Sequence, residues 1–377
     1  MGGTATAGGV TLGWAAATDV GNDRAVNEDA VLAAPPVFLV ADGMGGHQAG
    51  DVASSLVVDR FGTLADGELR PVQDVVGLLD DVNRSIFEEG QRTLARSGMG
   101  TTAVGLLLVD NGDRSSWLLF NIGDSRAYRW ADGELEQLSV DHSYVQELID
   151  AGEINEVSAR AHPHRNVVTR ALGVEDELQP DLWLRPPRPG ERYLLCSDGL
   201  SSEIDDLEIG RILARGSLQD AADALIGSAL AAGGHDNVTV LVLDVLDVDA
   251  GVAAETTAPR EELLALANAL RESRELDRAR DEPDEVAPDE DTVDPVFAGS
   301  SVDTLVEQPA VAATEDDEAD TLLIDRVPEQ SELELDRDQA DDRDDAGLAP
   351  TTADDATSGV APEAAAEDLD EEQEPST

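Results

Sequence analysis

The stretch Thr101-Thr102-Ala103-Val104-Gly105-Leu106-Leu107-Leu108-Val109, then Asp110-Asn111-Gly112-Asp113, then Ser116-Trp117-Leu118-Leu119-Phe120-Asn121-Ile122, decides the fold class. Two apolar runs of strand length flank a short polar link containing Asn-Gly, and that combination predicts a β-hairpin. Neighbouring strands with no helix between them imply antiparallel sheet rather than a doubly wound parallel one. Working outward, similar runs occur at Val10-Trp14, Val37-Ala41, Arg126-Trp130, Arg192-Cys196 and Val238-Val245. Helical spacing of apolar residues predicts helices over Ala49–Leu64, Val72–Ser97, Ser143–Ala151, Asp205–Ala214 and Leu218–Ala232. The expected fold is therefore α+β, a sandwich with helices packed outside the sheets.

Composition divides the chain near residue 250. Residues 1–250 carry 17 Arg against 41 Asp and Glu and eleven of the twelve aromatics; residues 251–377 carry 8 Arg against 40 acids, with Phe297 as the one aromatic. The second part lacks the apolar surface to offset chain entropy and is expected to be disordered over 282–377. A linker over 247–258 and a short helix over 259–281, with a weak stripe of leucines from Leu263 to Leu276, complete the expected organisation. The formal charge of −56 argues against nucleic acid or an anionic membrane as partner, because both repel such a chain. Every basic residue is Arg. The one cysteine, Cys196, excludes an internal disulfide and, inside an apolar strand, is expected to be buried and unreactive. Met1 to Gly9 lacks the basic and apolar regions of a secretory signal, and no run approaches ~20 apolar residues. The expected location is the cytoplasm.

Aspartates recur at the ends of the strand-like runs: Asp42-Gly43 after Val37-Ala41, Gly123-Asp124 after Ser116-Ile122, and Ser197-Asp198-Gly199 after Arg192-Cys196. Asn27-Glu28-Asp29 and Asp236-Asn237 add two more acidic segments. Taken singly, an Asp-Gly pair is more often a turn than a ligand. Gathered at one place, carboxylates resist ionising unless cations neutralise them. Oxygen-only donors suit hard ions such as Mg²⁺ or Mn²⁺, and one cysteine without an HExxH-type histidine pair argues against zinc. Two such ions about 4 Å apart can activate water against a phosphate ester, whose oxygens an Arg fork suits.

The ordered blocks resemble the PPM family, the type 2C metal-dependent protein serine/threonine phosphatases, in their bacterial form. The blocks are Arg24-Ala25-Val26-Asn27-Glu28-Asp29, Asp42-Gly43-Met44-Gly45-Gly46-His47, Gly98-Met99-Gly100-Thr101-Thr102, Gly123-Asp124-Ser125-Arg126-Ala127-Tyr128, Asp141-His142-Ser143, His162-Pro163 with Arg165 to Gly173, Ser197-Asp198-Gly199-Leu200, and Asp236-Asn237-Val238-Thr239. The resemblance spans residues 8–246. It implies a four-layer α-β-β-α sandwich of two mainly antiparallel sheets flanked by helices, and two Mn²⁺ or Mg²⁺ ions with a third, weaker one. Asp42 would bridge two metals, with the Gly43 carbonyl on the first and Asp198 and Asp236 on the second. Glu28 and Asp29 would hold metal-bound waters, Asp124 with Asp198 would take the third ion, and Arg24 would clamp the substrate phosphate. His47, just after Asp42-Gly43, is the chosen general acid; His142 and His235 would hydrogen-bond near the site, and His162 and His164 would order a loop. Residues 144–166 resemble the family's flap, with Ser158, His162 and Arg165 as candidate contacts to the phosphoprotein. Ala161 stands where some relatives carry a metal-holding serine.

The function these features imply is hydrolysis of phosphoserine and phosphothreonine in proteins by a metal-bridging hydroxide, reversing the work of bacterial Ser/Thr kinases on themselves and on their substrates. A reading from another class makes the acidic tail the working part. Asp291-Thr292-Val293, Asp303-Thr304-Leu305 and Asp320-Thr321-Leu322 place Thr292, Thr304 and Thr321 in matching contexts, as phosphoacceptors that would recruit phosphothreonine-reading or basic partners. The plainer reading of the tail is a solvated, solubilising segment.

Overall fold

The computed structural model describes residues 1–45, 49–92, 94–112, 114–250 and 252, all within the unit spanning Met1–Arg326. His47, the expected helix over 259–281, the tail and its three threonines lie outside the described residues. In chain order the strands are β1 (Gly2–Ala7), β2 (Val10–Asp19), β3 (Asp29–Ala34), β4 (Val37–Met44), β5 (Arg70–Pro71), β6 (Gly100–Thr101), β7 (Ala103–Asp110), β8 (Ser115–Ile122), β9 (Arg126–Ala131), β10 (Glu134–Gln137), β11 (Asp181–Arg185), β12 (Arg192–Cys196) and β13 (Val238–Val248). The helices are α1 (Gly50–Gly62), α2 (Val72–Arg92), α3 (Tyr144–Asp150), α4 (Glu156–Arg160), α5 (Asp198–Ser201), α6 (Asp206–Leu213) and α7 (Leu218–Ala232).

The strands form two sheets. One runs β1-β2-β13-β12-β9-β10; the other runs β11-β8-β7-β4-β3, with β5 added beside β7 and β6 beside β4. Every pairing is antiparallel except β5 with β7. The expected hairpin forms as β7 and β8, in register from Ala103 opposite Ile122 to Asp110 opposite Ser115. Gly112 supplies its turn with a φ of 78°, a left-handed conformation that suits glycine.

Each central strand is apolar on both faces because each sheet is covered twice. Along β4, Val37, Leu39 and Ala41 meet α1 and α2, while Phe38 and Val40 point between the sheets. Along β13, Val238, Val240 and Val242 meet α5, α6 and α7, while Leu241, Leu243 and Val245 point between the sheets. The period of two thus feeds three apolar layers, and the result is an α-β-β-α sandwich. Trp117, Phe38 and Tyr193 meet edge-to-face in the middle layer. On α2 the buried Val72, Val75, Val76, Leu79, Val82 and Ile86 fall at the three-and-four spacing of one helical face. Among the described residues no helix is long and apolar enough to cross a membrane.

Several elements differ from expectation at their edges. The first sheet begins at Gly2, ahead of the 8–246 span, because Gly2–Ala7 folds back in full register on β2. Helix α2 stops at Arg92 rather than Ser97, and the chain then turns through Gly98, at a φ of 76°, into β6. Strands β3, β10 and β11 carry no clean apolar alternation, and the sheets recruit them through backbone pairing.

Candidate active site

Antiparallel pairing fixes which strand ends come together. In one sheet Asp29, at the start of β3, sits opposite Asp42 near the end of β4. In the same sheet β8 ends at Ile122, opposite the start of β7 at Ala103. In the other sheet Cys196, the end of β12, pairs with Val240 near the start of β13. Glu28, Asp42, Asp124, Asp198 and Asp236 therefore arrive at one end of the sandwich, where with Arg24 they line a chamber of about 170 Å³.

The backbone around each carboxylate is tied down. The Asp42 carbonyl accepts from the Thr102 N–H (2.9 Å) and the Thr101 hydroxyl (2.8 Å). Gly43 must be glycine, because a Cβ there would lie 2.2 Å from the Gly50 carbonyl oxygen and 2.6 Å from that of Glu28. Glu28 donates its N–H to Asn237 Oδ1 (2.8 Å), and Asn237 Nδ2 donates to the Val20 and Val26 carbonyls, so one asparagine fastens the 20–28 segment to the start of β13. Asp29 stands behind Asp42; the Ser197 hydroxyl donates to its Oδ2 (2.8 Å) and accepts from the Thr239 N–H, which links the two sheets. Asp124 follows Gly123, whose φ of 105° and lack of a Cβ let it pass against Thr102. The Gly123 N–H donates to His142 Nδ1 (3.2 Å), and His142 Nε2 lies 3.3 Å from Arg170 Nη1 and 3.5 Å from Asp181 Oδ2. His142 is thus a buried brace for the Asp124 loop.

Crowding shapes the charges. Burial first, and then Asp29, Asp198, Asp236 and Asp124, push Asp42 well above the usual carboxylate range. Burial with Asp124, Asp236 and Asp29 does the same to Asp198. Asp124 is pushed up to about 7 by burial and by Asp141, and Asp29 to about 6, burial outweighing its bonds to Thr239 and Ser197. Glu28 rises through burial and the nearby Asp51. Arg24 answers part of this charge: its guanidinium donates to Asp236 Oδ2 at 2.9 Å, while Asp236 Oδ1 accepts from the Asn237 N–H. Burial works against that cation, and Asp236, Asp42 and Glu28 overcome it.

The remaining expected residues separate. Arg165 lines a neighbouring cavity, and Asn166 borders both that cavity and the chamber. Ser158 is exposed on α4, its N–H capped by Asn155, and lines neither. His162 packs with Tyr144 and His164 in an aromatic cluster, and His235 Nδ1 donates to Glu203 Oε1 (2.7 Å). No histidine lines the chamber among the described residues. Cys196 is buried in β12 with its thiol pushed up to about 12 by burial, so it supplies no nucleophile. Thr102, Asn166, Ser197 and Asn237 carry no role in the sequence analysis although each stands inside one of the family's blocks; as neutral residues they offer no charge pattern to notice.

A family model described as protein phosphatase 2C matches residues 22–225. The chain belongs to this family. It is 43% identical over 246 residues to serine/threonine protein phosphatase PstP of Mycobacterium tuberculosis, a match that covers 64% of this chain and 46% of that protein. This chain therefore spans about half the length of the mycobacterial relatives it matches. It is 37% identical over 219 residues to serine/threonine phosphatase stp of Listeria monocytogenes, covering 55% of this chain and 84% of that one. A crystal structure of the PstP catalytic domain in complex with two manganese ions superposes with a TM-score of 0.58 at 40% identity, covering 63% of this chain and 99% of that one.

The protein phosphatase 2C chamber fits a hard divalent cation by its donor chemistry. Its acidic groups offer oxygen alone, and burial with mutual repulsion holds Asp42 and Asp198 against ionisation. Among the described residues no three His, Cys, Asp or Glu side chains close on a single point.

Proposed function

We propose that this chain hydrolyses phosphoserine and phosphothreonine in proteins, using Mn²⁺ or Mg²⁺. The observation that carries the reading is the convergence of Glu28, Asp42, Asp124, Asp198 and Asp236 with Arg24 on one chamber, in a protein phosphatase 2C family member. Asp42, the Gly43 carbonyl, Asp198 and Asp236 are the residues that would hold two cations, and Asp124 with Asp198 a third. Bound there, the cations would neutralise the carboxylates, polarise the phosphoryl oxygens and make water a competent nucleophile near neutral pH. Glu28 and Asp29 would orient water beside them. Arg24, half-exposed at the mouth, would turn its fork from Asp236 to the substrate phosphate. The phosphoproteins we assign to it are bacterial Ser/Thr kinases and the proteins those kinases modify, in keeping with the bacterial phosphatases it matches.

The direct test is phosphate release from a phosphothreonine peptide with added Mn²⁺, with and without a chelator. Turnover with Mn²⁺ and none with chelator is expected; metal-independent turnover would sink the mechanism. For Arg24→Ala the expected result is a KM for phosphopeptide raised roughly 10-fold, with a smaller change in kcat, because a charge-assisted fork on the phosphate is worth about 1.5–3 kcal/mol before and during reaction. Steady-state kinetics at saturating Mn²⁺ check it, and an unchanged KM would remove the phosphate-clamp role.

A further inference from the structure

We propose that the cavity beside the chamber is a subsite for a second anionic group of the substrate, a carboxylate or a phosphate carried within a few residues of the phosphorylated Ser or Thr. The inference rests on the phosphatase reading and adds a substrate class to it. The cavity, of about 250 Å³, is lined by Arg126, Arg160 and Arg165, by the apolar Val145 and Ile149, and by five carboxylates. Asp124, Asn166 and Asp198 line both spaces, so a substrate strand seated in one continues into the other.

The two flap arginines belong to the minority of this domain's arginines that no carboxylate holds. Acids outnumber arginines in residues 1–250 by 41 to 17, and the described arginines are mostly held by carboxylates: Arg126 forks onto Asp141, Arg129 binds Glu191 and Arg192 binds Asp244. Arg160 and Arg165 are exposed and make no ion pair or side-chain hydrogen bond among the described residues. Of the five carboxylates on the cavity wall, two are engaged and none pairs with Arg160 or Arg165. Asp141 is held by Arg126, Asp206 accepts from the Tyr128 hydroxyl (3.2 Å), and Asp124 and Asp198 face the chamber as well; Glu156 is exposed and beyond 4.0 Å of either guanidinium. A guanidinium without a partner keeps its bidentate donors for a carboxylate or phosphate. At ~3.3 Å per residue an extended peptide brings such a group from the chamber into the cavity within one to three residues. Arg160 lies outside the family's blocks, and α4 brings it to the same cavity as Arg165.

The experiment compares initial rates of phosphothreonine loss, followed by mass spectrometry so that phosphoserine hydrolysis is counted apart, for the full chain on one phosphothreonine peptide carrying Ala, Glu or phosphoserine two residues before or after the phosphothreonine. The expected kcat/KM is at least ~10-fold higher for the Glu or phosphoserine peptide than for the Ala peptide at low ionic strength, and the arm that gains identifies the group taken. Arg160→Gln/Arg165→Gln is expected to bring the ratio close to one, and Arg160→Lys/Arg165→Lys to retain part of it. Equal kcat/KM across the peptides, or a preference that survives the double Gln variant, overturns the subsite alone. No turnover of any peptide overturns the phosphatase reading and the subsite with it.

Discussion

Asp42→Asn is expected to remain folded and to lose at least about 1,000-fold in kcat/KM on a phosphopeptide at saturating Mn²⁺, equivalent to roughly 4 kcal/mol of transition-state stabilisation. Asp42 is the carboxylate that Asp29, Asp198, Asp236 and Asp124 all disfavour, which makes it the electrostatic centre of the chamber. Its backbone is fixed from two sides, by Thr101 and Thr102 and by the β3 register, so the amide keeps the shape of the site. What the variant removes is the charge that would hold a cation between the two sheets. Asparagine also relieves repulsion, so the thermal midpoint without metal is expected to hold or rise while the midpoint gained on adding Mn²⁺ shrinks. Phosphate-release kinetics and thermal melts with and without Mn²⁺ check both halves. A variant that keeps metal-stimulated turnover would show that Asp42 is not a ligand.

Much of this site was legible in the chain because strand ends announce themselves. Asp42, Asp124 and Asp198 each follow an apolar run, and antiparallel pairing of such runs delivers their ends together. Asp29 illustrates what periodicity leaves out. Its strand, β3, is half-buried along its whole length, so no alternation marks it, and only the register with β4 places Asp29 opposite Asp42. Edge strands β1 and β10 escape for a related reason: Gly-Gly-Thr-Ala-Thr-Ala and Glu-Leu-Glu-Gln have little apolar surface of their own, and backbone bonds to β2 and β9 supply their order. The neutral braces were harder still. Asn237, Ser197 and His142 act by hydrogen bonds to backbone and carboxylate across 209, 168 and 19 residues of sequence. No local pattern encodes such partners; the fold has to bring them into reach.

The second large effect concerns stability, and its sign runs opposite to ordinary acid denaturation. In chelator, the thermal midpoint of the full chain is expected to fall as pH rises from about 4 to about 7.5, by on the order of 10 °C. An unfolded carboxylate ionises near 3.9. In the folded chamber Asp29 is pushed up to about 6, Asp124 to about 7, and Asp42 and Asp198 well above their usual range, burial leading in each case. Between those limits the folded state therefore holds more protons than the unfolded one, and stability declines with pH. Below the unfolded value both states are protonated and the penalty vanishes; above the folded values it is complete. Asp124 alone, raised from 3.8 to about 7, corresponds to roughly 4 kcal/mol. The overall acidity of the chain pushes in the same direction, so two controls isolate the chamber. Asp124→Asn should flatten the slope, since an amide cannot ionise. Added Mn²⁺ should raise the midpoint more at pH 7.5 than at pH 5, because the cation competes with protons for the same oxygens and stabilises only the folded state. A midpoint in chelator that climbs between pH 5 and 7.5, or a Mn²⁺ shift larger at pH 5, would mean that these carboxylates are not held together against their charge, and the chamber would lose its physical reason to bind a metal.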